Sequence, residues 1–168
     1  QFDIDWTTLG EYLESLQRRG ISPNVASFVG ANTVRVHELG YENRAPSPEE
    51  LERMKDLIKQ AMEEGAMGTT TALIYAPDNY ATTEELIELS KVAAPYGGMY
   101  ISHMRSEGNN ILNAVDETIR IAKEANLHAE IYHLKLGGKE NWNTLDSVMA
   151  KIERANQSGL RITADMYT

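Results

Sequence analysis

The chain has 168 residues, a formal net charge of −9 and no cysteine. This length is enough for one domain with a substantial core, and the lack of cysteine excludes disulfides and thiolate ligands within it. No apolar run approaches the roughly 20 residues that a membrane-spanning helix needs. The acidic charge argues against nucleic acid and anionic membrane surfaces as partners. We therefore expect a soluble, cytoplasmic protein.

Helical patterns recur along the chain, and three of them open on capping sequences. The capping sequences are Thr8 to Glu11, Ser47 to Glu50 and Thr82 to Glu85. The first of these helices is expected to end near Gly20 and the second near Gly65. Two further helices are predicted over residues 111–125 and 145–155.

Five short apolar runs lie between these helices and are typical of β-strands. They cover residues 23–30, 67–75, 97–103, 128–133 and 160–166. Strict alternation of strands and helices, without a hairpin signal, predicts a parallel sheet. Residues 31–46, between the first strand and the second helix, are expected to form a long irregular loop that carries His37. Loops of that length in compact domains are often functional.

Five β/α units are compatible with two parallel architectures. A doubly wound sheet fits the length, but it usually carries a glycine-rich first βα turn, and Val-Gly30-Ala-Asn is not one. A complete (β/α)8 barrel needs about 250 residues. We therefore expect an α/β fold that is part of a parallel TIM-type (β/α)8 barrel, with about five β/α units.

Two histidines, His103 and His133, end neighbouring predicted strands and lie 30 residues apart. The carboxyl ends of the strands in a barrel meet at one face, which carries the chemistry. The two imidazoles could converge there as zinc ligands. The alternative is that each histidine hydrogen-bonds within a barrel mouth and binds no metal. A catalytic zinc site needs about three protein ligands, and no third one is obvious in the sequence.

The remaining histidines are His37 and His128, and a lysine, Lys135, follows His133. His128 precedes its strand and is expected at the opposite face, whereas His37 is expected to be solvated or to brace its loop. Lys135 follows His133 by two residues, so it shares that side of an extended chain. A lysine there could bind a substrate carboxylate as a point charge, and a solvated surface lysine is the alternative.

Other polar side chains near the strand ends have less specific roles. Arg105 and Glu107 are expected either to form an ion pair that orients His103 or to be ordinary surface charges. Tyr75 ends the second strand, where its hydroxyl could reach a ligand or its ring could simply pack. The last strand ends on two residues that point to the same face, Asp165 and Tyr167.

The sequences around these residues are distinctive. They read Tyr-Ile-Ser-His103-Met-Arg-Ser-Glu-Gly, Glu-Ile-Tyr-His133-Leu-Lys135, Ala-Leu-Ile-Tyr75-Ala-Pro, Ile-Thr-Ala-Asp165-Met-Tyr167 and Val-Ala-Ser-Phe-Val-Gly30. Together they resemble the N-acyl-D-amino-acid deacylases, or D-aminoacylases, of the amidohydrolase superfamily of metal-dependent barrels. The resemblance spans almost the whole chain.

The resemblance implies zinc-dependent hydrolysis of the amide of a small substrate, an N-acyl-D-amino acid. It implies that His103 and His133 are zinc ligands, and that Lys135, Tyr75 and Tyr167 line the substrate pocket. Members of this family also use a His-x-His pair, a cysteine ligand and a later aspartate as general acid/base.

These further family residues are not found in residues 1–168. The sequence has no His-x-His pair and no cysteine, and Asp165 does not match the family's aspartate by position. No catalytic residue is therefore identified, and we expect the chain to be the central segment of a metal-dependent amidohydrolase barrel domain.

Two alternatives stay open. One is another amidohydrolase, such as a dihydroorotase-like cyclic amidase or a deaminase, although Lys135 with Tyr75 suits an acylated amino acid with a free carboxylate. The other is a fragment that catalyses nothing and serves in folding or interaction. An incomplete barrel would expose two sheet edges, so self-association through them is also expected.

Overall fold

The structure, a computed structural model, describes residues 4–167. Its strands are β1 (Val29–Gly30), β2 (Gly68–Ala72), β3 (Met99–His103), β4 (His128–Ile131) and β5 (Ile162–Ala164). Its helices are α1 (Leu9–Arg19), α2 (Ala31–Leu39), α3 (Pro48–Glu63), α4 (Thr83–Ala93), α5 (Ile111–Ala125) and α6 (Leu145–Gln157). None of the helices in this described range is long and apolar enough to cross a bilayer.

The strands form one parallel sheet whose spatial order follows the chain, β1-β2-β3-β4-β5. A doubly wound sheet would instead reverse its order at a switch point. The helices from α2 to α6 each pack against the next one along the chain and against the sheet. This is how successive units of a barrel are arranged. The expected α/β class is confirmed, and the strand order is consistent with part of a (β/α)8 barrel.

The predicted capping sequences start three helices. Thr8 caps α1 by accepting a hydrogen bond from the backbone N–H of Glu11, and Ser47 caps α3 by accepting one from Glu50. The carboxylate of each glutamate in turn accepts a hydrogen bond from the N–H of the capping residue, which completes the capping box. The hydroxyl of Thr82 caps α4 by accepting a hydrogen bond from the backbone N–H of Glu85. A cap of this kind typically contributes about 1 kcal/mol.

The strands are shorter than the apolar runs that predicted them. The first run was predicted over 23–30, but β1 covers only Val29–Gly30. The second was predicted to reach residue 75, but β2 ends at Ala72. Leu73 and Met104, just past the ends of β2 and β3, are 2% exposed. These two apolar residues follow the strands because the turns bury their side chains, whereas Ile74 and Tyr75, at the end of the second predicted strand, are 45% and 62% exposed.

The expectation of an irregular loop over residues 31–46 is wrong, because its first part forms α2. Arg35 of α2 is 1% exposed, and its Nη1 donates to both carboxylate oxygens of Glu85 in α4 at 2.7 Å. Its Nη2 donates to the carbonyl of Arg44. A charged residue at a core position interrupts the apolar period of a helix, which is why the sequence pattern concealed α2.

Removing one partner of the buried Arg35–Glu85 pair should strongly destabilise the fold. Glu85→Gln leaves the guanidinium buried without its counter-charge, and the expected loss in free energy of unfolding is about 3–5 kcal/mol. Glu124→Gln removes an exposed pair with Arg120 and is the control, with little change expected. Urea denaturation followed by circular dichroism measures both variants. Equal stabilities for the two would contradict the structural role of the pair.

Candidate metal centre

The ends of β3 and β4 bring two histidines together. The strands pair in parallel with Ser102 opposite Ile131, so His103 and His133 follow at the same edge of the sheet. Their ring centroids lie 4.6 Å apart, with the ring planes at 80°. The expectation that the two imidazoles share one edge is confirmed, and their role as metal ligands stays a prediction.

A carboxylate from the loop after β3 joins the histidine pair. Oε1 of Glu107 lies 2.9 Å from Nδ1 of His133 and 3.7 Å from Nε2 of His103. One potential ligand atom from each of these three residues lies within 4.8 Å of the other two. The sequence pattern indicated Glu107 only as a partner of Arg105 or a surface charge, so its place beside the two histidines was not predicted. We call His103, Glu107 and His133 the strand-end cluster.

The strand-end cluster has the chemical character of a metal site. His103 Nε2 is buried and has no hydrogen-bond partner within residues 4–167, a state that costs about 1–3 kcal/mol for a buried polar atom. Burial lowers the pKa of His103, and the nearby His133 and Lys135 lower it further, against an opposing effect of Glu107. The neutral imidazole is the form that binds metal, so these residues fit a zinc ion.

Lys135 reaches the strand-end cluster from the segment after β4. Its Nζ donates to Glu107 Oε1 at 2.6 Å and lies 2.9 Å from His133 Nδ1. It also donates to the carbonyl of His133 at 3.2 Å. Burial lowers the pKa of Lys135, but hydrogen bonds to Glu107 and Tyr167 outweigh that effect, so the pKa is raised. An ammonium charge is therefore present beside the cluster at neutral pH.

Two tyrosines flank the histidine pair. The Tyr75 ring lies 5.5 Å from the His103 ring, and the Tyr167 ring lies 5.8 Å from the His133 ring. Their exposures of 62% and 66% show that neither ring is a packed core residue. The structure thus brings all five predicted site residues together, while the substrate-binding roles of Lys135, Tyr75 and Tyr167 stay predictions.

Asp165, at the end of β5, supports the backbone of His133. His133 has a φ of 39°, a left-handed conformation that is unfavourable for a residue other than glycine. The Asp165 carboxylate accepts the N–H of His133, and its carbonyl accepts the N–H of Leu134 at 2.8 Å. The strand predicted to run through His133 therefore ends at Ile131, and the chain turns there.

Arg105 does not pair with Glu107, so the first of the two alternatives given for these residues is wrong. The Nη2 of Arg105 lies 2.9 Å from Glu117 of α5, and its guanidinium donates to the carbonyls of Asn79 and Ala81 at 3.0 Å. A guanidinium has five donors in a planar fork, so it can satisfy a carboxylate and two carbonyls together. Arg105 thereby fastens the loop after β2 to the end of β3.

The other two histidines lie away from the strand-end cluster. His128 begins β4, at the opposite end from His133, and its Nε2 lies 2.7 Å from Thr163 Oγ1. His37 lies on α2 rather than in a loop, with its Nδ1 3.1 Å from Glu38 Oε1. Neither residue joins the cluster found within residues 4–167.

Comparison with known proteins places these features in a family context. The chain is 37% identical over 145 residues to a D-aminoacylase of Alcaligenes xylosoxydans xylosoxydans, which is 86% of this chain and 30% of that protein. It matches a crystal structure of D-aminoacylase, described as defining a novel subset of amidohydrolases, with a TM-score of 0.90 and 34% identity. That match covers 95% of this chain and 34% of the other.

A second solved structure is equally similar. The chain matches N-acyl-D-glutamate deacylase from Bordetella bronchiseptica with a TM-score of 0.91 and 30% identity, over 95% of this chain and 34% of that one. That structure is complexed with zinc and a phosphonate inhibitor that mimics the tetrahedral intermediate. The resemblance to the N-acyl-D-amino-acid deacylases is confirmed.

The match to the deacylases covers much less of each relative than of this chain. The chain spans about a third of the length of the D-aminoacylase and N-acyl-D-glutamate deacylase that it matches. No protein-family model matches it. The deacylase likeness therefore describes residues 1–168 almost completely and describes each relative only in part.

Replacing Arg105 should loosen the loop after β2 and leave the deacylase-like sheet intact. Arg105→Gln removes the charged donors to Asn79 and Ala81. Hydrogen bonds from charged groups contribute about 1.5–3 kcal/mol, so we expect amide hydrogen exchange at Tyr80 and Ala81 to accelerate by about 10-fold or more. Exchange is measured by NMR, with Arg120→Gln on α5 as control. Unchanged exchange in Arg105→Gln would show that the loop is held by other contacts.

Proposed function

We propose that this chain supplies the metal-binding and carboxylate-binding part of a zinc-dependent N-acyl-D-amino-acid deacylase. The observation that carries the proposal is the meeting of His103, Glu107 and His133 with a lysine ammonium at one sheet edge. Likeness to D-aminoacylase and N-acyl-D-glutamate deacylase over most of the chain supports the same substrate class. On this proposal residues 1–168 are the central segment of an amidohydrolase barrel domain in a cytoplasmic enzyme.

His103 and His133 would hold the metal. Imidazole nitrogens are preferred zinc ligands, and the related N-acyl-D-glutamate deacylase structure contains zinc. A zinc ion bound there would supply Lewis-acid activation of the amide carbonyl and of the attacking water. The carboxylate of Asp165 keeps the N–H of His133 satisfied in its turn, so the ring is held at the edge of the sheet.

Lys135, Tyr75 and Tyr167 would bind the substrate. The Lys135 side chain is 37% exposed, so its ammonium is accessible to a carboxylate from solution. An ammonium pairs with a carboxylate as a point charge, which suits the free carboxylate of an N-acyl-D-amino acid. The exposed rings of Tyr75 and Tyr167 stand on either side of the histidine pair and would line the pocket.

In the complete protein that contains this chain, a variant of a metal ligand and a variant of a substrate-binding residue should have different effects on zinc content and on KM. His133→Ala is expected to lose both zinc and deacylation. Lys135→Ala should keep its zinc and raise KM for an N-acyl-D-amino acid about 10-fold or more, because a charge-assisted hydrogen bond is worth about 1.5–3 kcal/mol. Zinc is measured by elemental analysis, and Lys151→Ala, which breaks an exposed pair with Asp116, is the control.

Two results would contradict these assignments. Full zinc occupancy in His133→Ala would remove His133 from the ligand set. Unchanged KM in Lys135→Ala would remove the carboxylate-binding role of that lysine. A complete protein that hydrolyses a cyclic amide or deaminates its substrate, and leaves N-acyl-D-amino acids intact, would support the alternative amidohydrolase activities instead.

The 168-residue chain by itself should be catalytically silent. It contains no His-x-His pair and no cysteine, so the metal site would be incomplete and zinc would bind weakly. The outer edges of β1 and β5 have no strand partner within residues 4–167, and such edges invite pairing with another chain. Purified chain with added zinc is assayed for deacylation and by light scattering. Turnover at an ordinary enzymatic rate, or a strictly monomeric chain, would contradict the respective expectation.

A further inference from the structure

The ammonium group of Lys135 already occupies the place of a cation beside the strand-end cluster. We infer that this ammonium and a metal ion compete for His133, so that metal binding breaks the hydrogen bond from Lys135 to His133 and frees the ammonium for the substrate carboxylate. The competition rests on the proposed function, because it takes His133 as a metal ligand. Metal binding would then precede carboxylate binding.

The hydrogen-bond capacity of the His133 ring is the first support. An ammonium group can only donate, so Nδ1 of His133, which lies 2.9 Å from Lys135 Nζ, is the acceptor. A neutral imidazole has one acceptor nitrogen and one N–H, which places the ring proton on Nε2. A metal at Nδ1 would need the lone pair that holds Lys135. A metal at Nε2 would need the proton to move to Nδ1, where it would face the ammonium, so Lys135 must leave in either case.

The donors of Lys135 are fully used within the protein, which is the second support. Three acceptors surround Nζ, namely Oε1 of Glu107 at 2.6 Å, Nδ1 of His133 at 2.9 Å and the His133 carbonyl at 3.2 Å. An ammonium has three N–H donors, so these acceptors account for all of them. A substrate carboxylate can therefore bind Lys135 only after one of these bonds is broken, and metal binding at His133 breaks one.

The arrangement of the acceptors is the third support. Oε1 of Glu107 and Nδ1 of His133 lie 2.9 Å apart, and the positive charge of Lys135 offsets the repulsion between these two electron-rich atoms. His103 differs, because its Nε2 is buried without a hydrogen-bond partner within residues 4–167. A metal ion would thus meet one imidazole nitrogen that is available and one ring that is engaged by Lys135.

The displaced ammonium has another partner nearby. Nζ of Lys135 lies 5.3 Å from the centre of the Tyr167 ring, a separation at which a cation is attracted to the face of an aromatic ring. Both side chains are partly exposed, so the lysine stem can swing towards Tyr167 without disturbing the core. Because Tyr167 is a proposed substrate-binding residue, this movement brings the charge to the side of the site where the substrate would bind.

Crystal structures of the complete protein, metal-depleted and zinc-loaded, test the competition directly. Without metal, we expect Lys135 Nζ to lie within hydrogen-bond distance of His133 Nδ1. With zinc about 2.0–2.1 Å from a nitrogen of His133, we expect that bond to be broken. Lys151 is the internal control and should keep its pair with Asp116 in both structures.

Two outcomes of the crystal structures would overturn the inference and are distinguishable. A hydrogen bond from Lys135 to His133 that persists with zinc bound to His133 would exclude the competition and leave the proposed function intact. Zinc bound elsewhere, with the His133 ring free of metal, would contradict the proposed function and the competition with it.

Zinc affinity gives a second test, from calorimetric titration with zinc alone. Lys135→Met removes the competing ammonium and keeps a stem of similar shape, so we expect zinc to bind about 10-fold more tightly than in the wild type. Lys151→Met, which removes the ammonium that pairs with Asp116, is the matched control and should leave the affinity unchanged. Equal or weaker zinc binding in Lys135→Met would overturn the competition. Thermal melts show whether each variant has folded, and Lys135→Gln takes the place of a Lys135→Met protein that has not.

The order of binding is tested with a free D-amino acid, the product of the proposed reaction, as the carboxylate probe. Its affinities for the wild type and for Lys135→Met are compared without metal and at saturating zinc. Any bond from the probe to zinc is common to both proteins, so the ratio of the two affinities reports on Lys135. We expect a ratio of about 1 without metal and about 10 with zinc. The same ratio in both states would overturn the proposed order.

Discussion

The parallel pairing of β3 with β4 is the constraint on which the candidate site depends. It sets Ser102 opposite Ile131, so that both chains leave the sheet at the same edge, and His103 and His133 come into contact there. The pairing of β2 with β3, which sets Ala72 opposite His103, brings the loop that carries Tyr75 to the same edge. A slip of one residue in either pairing would turn these side chains to the other face of the sheet.

Charge at this edge is balanced locally. The Glu107 carboxylate lies among two imidazoles and the Lys135 ammonium, and all four side chains are at least partly buried. The chain as a whole carries −9, but exposed charges more than about 10 Å away are largely screened at ordinary ionic strength. The electrostatic potential at this edge is therefore set mainly by these neighbouring groups and not by the overall acidity.

Local signals in the sequence predicted a large part of this structure. The caps at Thr8, Ser47 and Thr82 act over four residues, and α5 runs over residues 111–125 as its apolar period predicted. The ends of β3 and β4 were near enough to their predicted places for His103 and His133 to be recognised. These features depend on residues that are close together in the chain, so they could be predicted from one sequence.

Contacts between side chains that are far apart in the sequence were not predictable in the same way. Helix α2 was missed because Arg35 is buried against Glu85, 50 residues away. Glu107 was considered with Arg105, two residues before it, but its partners are His133 and Lys135 on the next β/α unit. The turn at His133 depends on Asp165, 32 residues further along. Each of these pairings exists only once the sheet has formed.

The central claim is that His103 and His133 bind one metal ion, and anomalous diffraction at the zinc edge tests it most directly. Crystals of the complete protein grown with zinc should show an anomalous peak about 2.0–2.1 Å from a ring nitrogen of each histidine, the usual zinc–nitrogen distance. A peak elsewhere in the protein, with both imidazoles free of metal, would contradict the account.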